Sequence, residues 1–230
     1  AFAVTWTAPA APTVSVDADA TPVAVTVTGL EVGDVVQLEQ ELDGDAWGAL
    51  TVITATASSV TVSSPLASAG LPVRFRARRA GGVLDGVALF STWAVSDLVA
   101  SSRAAGCMLV DDGDRTACLP VELLRDGERS VVQGVSVSFG LGASSARIDT
   151  SPPAGQRGAI ALRTMSEDSL AVLLEWLHAR QVLWVVFPPD AGVPRRPIRV
   201  ARSSSVRWER LLQKGVSGIR HVEFEWVSQP

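Results

Sequence analysis

The side chains able to do chemistry are few and scattered along the chain. Its 230 residues include two histidines, His178 and His221, and two cysteines, Cys107 and Cys118. A general acid or base needs a group that titrates near its working pH, within hydrogen-bond reach of the proton it moves. His178 falls late in an amphipathic segment and His221 opens an alternating one, so each reads as a partly exposed structural position. No G-x-S-x-G elbow, H-E-x-x-H pair or P-loop is present. Gly140, Leu141, Gly142, Ala143 and Ser144 begin like a glycine-rich loop but lack the third glycine and the helix that would follow. Glu223 and Glu225 share one face of one strand, whereas a glycosidase needs its carboxylates across a cleft. Asp111, Asp112 and Asp114 suggest a hard cation, but the run lacks the ligand spacing of a calcium loop and reads as a solvated turn. Cys107 and Cys118 flank DDGDR at a spacing that matches no zinc pattern. Two reduced thiols and a hairpin disulfide both fit that spacing. The expectation is a protein without catalytic residues, metal or cofactor.

Charge is distributed more informatively than the net value of −4 suggests. Residues 1–73 hold eight acids and no base, and the other 16 acids and all 20 bases follow. The densest basic stretch contains Arg195, Arg196, Arg199, Arg202, Arg207, Arg210, Lys214 and Arg220 against a single acid, Glu209. In a nucleic-acid binder such a cluster would track phosphates. Here the arginines are expected to alternate along strands and point outward, as on a solvated or inter-subunit face. Together with Glu223 and Glu225 they form the candidate subunit interface. No specific nucleic-acid partner is expected.

Several classes are excluded by composition. A hydrophobic content of 47% with 19% charge is too apolar for a disordered chain. No apolar run reaches the ~18 residues that a spanning helix needs, so no membrane partner is expected. AFAVTWTAPAAP lacks the positive n-region of a signal peptide. Lys214 is the only lysine and tyrosine is absent, while alanine, valine and arginine abound. That usage fits a GC-rich coding sequence.

The elements that must hold these residues fall into two domains, 1–100 and 106–230. In the first, alternation predicts strands at Thr13–Asp17, Pro22–Thr28, Asp34–Leu42, Leu50–Ala55, Val60–Ser63, Leu71–Arg79 and Val87–Val95. Turns are expected at Asp43 to Asp45 and at Gly81 and Gly82. Seven short strands predict an immunoglobulin-like β-sandwich. APAAPTVSV and LPVRFRARRA resemble a fibronectin type III domain, although Phe75 stands where that family usually carries tyrosine. Trp6, Trp47 and Trp93 offer a sugar-stacking platform, against which burial at a core or hairpin edge is the commoner fate of large aromatics. Ser96 to Ala105, small and polar, reads as the linker.

In the second domain, Val121–Leu124 and Ser130–Phe139 read as strands, followed by strand, helix, strand and a final aromatic strand. Thr164 or Ser166 can cap the helix, with Thr164 and Glu167 at capping-box spacing. Leu170, Leu173, Leu174 and Leu177 form one apolar stripe. Gln181–Phe187 has almost no polar face and is expected to be covered on both sides, the helix being one cover. Pro188 and Pro189 stop it. Val222, Phe224 and Trp226 alternate with His221, Glu223 and Glu225 as a half-buried strand. The fold class is therefore mainly β: a sandwich, then an α+β split-barrel or sandwich domain with one main helix.

GAIALRT, SEDSLAVLLEWL, VLWVVFPPDAG and HVEFEWVSQP, in that order, resemble the C-terminal domain of minor tail proteins of actinobacterial siphophages, a group related to distal tail and baseplate-ring proteins. The resemblance implies a structural virion protein of the tail tip, assembled in the host cytoplasm. Its partners would be further copies of itself in a ring, the tail tube, the tape measure and the hub. Residues 106–230 would form the ring and 1–100 would decorate it. The familiar distal tail protein has its ring domain first, whereas here the sandwich precedes it. A second reading makes the first domain a binding module for host cell-surface glycan.

Overall fold

The computed structural model describes residues 8–84, 87–101, 106–126, 130–131, 135–138, 147–150, 156–164, 166–179, 182–187, 196–213 and 216–228. The chain is mainly β with one α-helix. It divides into two compact units, one of residues 1–118 and 186–197, the other of residues 119–185 and 198–230. Trp6, Pro188, Pro189, Arg195, Lys214 and the glycines of 140–144 lie outside the described residues.

In the first unit, β1 (Thr13–Asp17), β2 (Val23–Thr28), β3 (Val35–Leu42), β4 (Gly48–Thr54), β5 (Ser59–Ser64), β6 (Val73–Leu84), β7 (Val87–Phe90) and β8 (Ala94–Val95) form two antiparallel sheets. One has the order β1-β2-β5, the other β4-β3-β6-β7, with β8 also on β6. This is an immunoglobulin- or fibronectin-like sandwich, and period-two alternation builds it. Val23, Val25 and Val27 are buried, as are Val36 and Leu38 on β3 and Val73, Phe75 and Ala77 on β6. Burying each of the larger side chains contributes roughly 1.5–3 kcal/mol before ordering entropy. Inside this core, Ser64 Oγ donates to Gln40 Oε1 at 2.7 Å, so two buried polar groups satisfy each other.

Two expectations for this unit need correction. Gly81 and Gly82 make no turn, because β6 runs through them to Leu84 with a register shift between Ala80 and Gly82. A Cβ on Gly81 would lie 2.9 Å from the Pro9 ring, so glycine serves close approach of the N-terminal segment rather than chain reversal. The stretch expected as a linker is also tied down. Ser96 N donates to Phe75 O, and Val99 and Val73 exchange both backbone hydrogen bonds. Residues 102–105 lie outside the described ones. β9 (Met108–Asp111) follows, and then the acidic turn that leads to Cys118.

The second unit contains β10 (Cys118–Asp126), β11 (Ser130–Val131), β12 (Val135–Ser138), β13 (Arg147–Thr150), β14 (Gln156–Thr164), α1 (Glu167–His178), β15 (Val182–Val186), β16 (Ile198–Arg202), β17 (Arg207–Gln213) and β18 (Val216–Ser228). The strand expected over 130–139 is two: β11 pairs with β14, and β12 pairs with β13. β14 and β18 are antiparallel from Arg157↔Val227 to Thr164↔Arg220. β10 takes the other edge of β14, and β16 and β17 take the other edge of β18. Leu170, Leu173 and Leu177 are the buried stripe of α1, which packs on β14. Ser166 is the cap: its hydroxyl accepts from Ser169 N at 3.0 Å. Thr164 does not cap the helix because it is still in β14, where it pairs with Val121 and Arg220.

On β15, Leu183 and Val185 are buried but Val182 and Trp184 are only half-buried, so this strand is not covered equally on both sides as expected. Gly158 is required by packing. It sits opposite the fully buried Trp226, and a Cβ there would come within 2.7 Å of the indole Cζ2.

Candidate functional site

The outward face of β6 alternates with its core face, and so presents Arg74, Arg76 and Arg78 in a row. Arg76 lies over Trp47 at 4.5 Å and over Trp93 at 4.3 Å, while Arg78 lies over Trp93 at 4.4 Å and over Phe90 at 4.1 Å. The result is a stack in the order Trp47, Arg76, Trp93, Arg78, Phe90. Quadrupole attraction favours each step by roughly 0.5–1 kcal/mol, more where water is excluded. β3 completes it from the next strand: Arg76 Nε donates to Glu39 at 2.7 Å and Arg78 Nε to Gln37 at 2.8 Å. Trp93 and Trp47 thus neither fill the core nor offer bare rings. Sequence reading missed this stack because it depends on register between strands; the signal that could have found it was the arginine at every second position of RFRAR.

Arg79 falls on the inward phase of the same alternation, with Phe75 and Ala77, and so places a charge on the buried face. It donates to Ala10 O at 2.9 Å, to Gly29 O at 3.3 Å and to Asp34 Oδ2 at 2.8 Å. Part of the acid-only first third of the chain therefore meets its bases on β6. Asp34 and Glu39 are both paired there.

The candidate interface arginines do not form one outward face. Arg196 belongs to the first unit and grips the β3–β4 turn, with Nη2 2.8 Å from Asp43 Oδ2 and Nη1 3.0 Å from Asp45 Oδ2. Hydrogen bonds to Asp43 and then to Asp45 hold its guanidinium above its ordinary pKa. Arg220 is on the core face of β18, its side chain 11% exposed, and donates to Glu167 Oε1 at 2.6 Å. Both arginines are paired within the chain, and Arg220 corrects the outward reading, whereas Arg196 is 56% exposed. The alternation was right for β18 as a whole, but Arg220 is in phase with Val222, Phe224 and Trp226 rather than with His221.

The remaining candidates lie in the second unit. Arg199 stands opposite Trp184 and Arg202 opposite Trp226, both half-buried. Arg210 lies opposite Arg220 in β17, with its side chain outside the described residues. On the wet face, Glu122, Arg163 and His221 follow one another across β10, β14 and β18, and Arg163 forms an ion pair with Glu122. In the next row Ala161, Glu223 and the exposed Arg207 are register partners. Glu225 is exposed, and its strand is held by Ser203 N to Glu225 O and by Glu225 N to Ser204 Oγ. Val206, Arg207, Trp208, His221 and Glu223 line an open groove of about 520 Å³, and Trp208 is 49% exposed. Sequence reading did not single out Trp208.

The carboxylates of the acidic turn are used locally. Asp111 Oδ1 accepts from Gly113 N, and Asp114 Oδ1 from both Thr116 N and Thr116 Oγ1. Cys107 is buried and Cys118 half-buried, both as free thiols, and burial pushes the Cys118 thiol above its ordinary pKa. His178 is exposed at the C-terminal end of α1. No helix among the described residues is long and apolar enough to cross a membrane. No protein-family model matches the chain, and no curated protein matches it.

Proposed function

We propose that this chain is a structural component of a phage tail tip or baseplate, assembling with copies of itself into a ring that joins the tail tube to distal tail proteins. The reading is of a non-catalytic virion protein whose partners are itself, the tail tube, the tape measure and the hub. The observation that supports it most is the order β14, α1, β15, β16, β17, β18, in which a leucine-striped helix on a sheet is followed by a charged final hairpin. Such a unit needs no active site to account for its residues, and its wet face offers alternating charge to a neighbour.

The glycan-binding reading rests on Trp47 and Trp93, whose rings already carry guanidinium groups. That stacking favours the structural reading. Native mass spectrometry of the purified chain, alone and mixed with tail-tube protein, tests the proposal. A ring-sized multimer or a joint complex is expected, and a strict monomer in both samples contradicts it. Retention on cell-wall glycan that weakens in Trp47→Ala would support the binding module instead.

A further inference from the structure

The groove beside β17 says where one copy meets another. Among the described residues, no strand pairs with the outer edge of β17. An open edge exposes backbone donors and acceptors that a further strand can satisfy, and most proteins blunt such edges with charge, proline or a bulge. β17 carries Arg207, Glu209 and Arg210 and a register shift between Leu211 and Gln213, and among these charges it also presents Trp208, 49% exposed. Tryptophan and arginine are the residues most enriched at the energetic centres of protein interfaces.

Charge at the same place is unspent. Arg207 and Glu223 are register partners on β17 and β18 and line the same groove, yet neither makes an ion pair or hydrogen bond among the described residues. This differs from Arg196, Arg220, Arg163, Arg76 and Arg79, each of which has a carboxylate of its own chain. A cation and an anion side by side on one strip are complementary to the same strip turned end for end. The guanidinium of each copy then meets the carboxylate of the other.

We infer that β17 and its groove form a two-fold contact with a second copy of this chain, with Trp208 as the apolar anchor and Arg207 and Glu223 as reciprocal salt-bridge partners. The inference deepens the self-assembly part of the proposed function and rests on it. A two-fold contact is self-complementary and closes on a pair. It is therefore distinct from the head-to-tail contact that closes a ring, and doubles whatever the ring contact builds.

The test is sedimentation velocity and native mass spectrometry on the full chain and on Arg207→Glu, Glu223→Arg and Trp208→Ala, with circular dichroism as the folding control. The wild type is expected to form assemblies with an even number of copies. Trp208→Ala should weaken pairing by about thirtyfold or more, as loss of an interface anchor does. Arg207→Glu carries two acids on the strip and Glu223→Arg carries two bases, so each alone should fail to pair. Mixed together they should pair one-to-one, a rescue that misfolding cannot imitate. If the wild type assembles and the folded variants assemble equally well, the β17 contact is overturned while the tail reading stands. If the wild type is a strict monomer alone but binds tail-tube protein, the contact is again overturned and the tail reading survives. A monomer under both conditions overturns both.

Discussion

Two groups of arginines in this chain look alike in sequence and differ in fate. Three of those on β6 are spent where they stand: Arg76 and Arg78 are stacked between aromatic rings and held by Glu39 and Gln37, and Arg79 is turned into the core on Asp34. Those between Arg196 and Arg220 divide. Arg196 and Arg220 are clamped by carboxylates distant in sequence, while Arg207 has no such partner among the described residues despite lying opposite Glu223. Arginine density therefore does not mark an interface. The contact inferred at β17 rests instead on a charge without a partner among the described residues, at a sheet edge.

The first way to break this comparison is Arg79→Ala. It removes one member of a largely buried pair, leaving Gly29 O and Ala10 O without this donor and Asp34 Oδ2 with only the Glu31 amide. Losing one partner of such a pair costs about 3–5 kcal/mol, which urea unfolding should register as a large fall in midpoint. Gly158→Ala comes next. The added methyl meets the Trp226 ring of β18, the strand paired with β14, and overpacking of this kind costs roughly 1–3 kcal/mol, read as a lower midpoint. Trp93→Leu removes two guanidinium contacts but keeps apolar cover. The expected loss is about 1–2 kcal/mol, with a smaller effect if the stack is only incidental to β6. Arg196→Met should move thermal unfolding least, because its ion pairs are on the exposed surface and water and salt screen them. A melting temperature that stays put across salt concentrations in both proteins would bear that out.

Much of the fold was legible because burial imposes its period on the sequence. The alternation of Val23, Val25 and Val27 and the leucine stripe of α1 each located an element within a residue or two. Errors arose where one residue type serves two purposes. Gly81 looked like a turn and is a close approach to Pro9, and Thr164 looked like a cap and remains in its strand. The candidate site was less legible. Whether Arg220 faces core or solvent depends on phase along β18. Whether Trp47 and Trp93 bind a ligand or an arginine depends on which strands become neighbours. Pairing between distant residues such as Arg196 and Asp43 leaves no local pattern at all.

The measurement that bears most directly on the contrast between the two arginine groups is hydrogen exchange on the full chain, compared between dilute and concentrated samples. If β17 is where copies meet, amides of residues 207–213 gain protection as concentration rises, while those of β3 and β6 do not change. Protection confined to β3 and β6, or no change anywhere as assemblies form, would contradict the assignment.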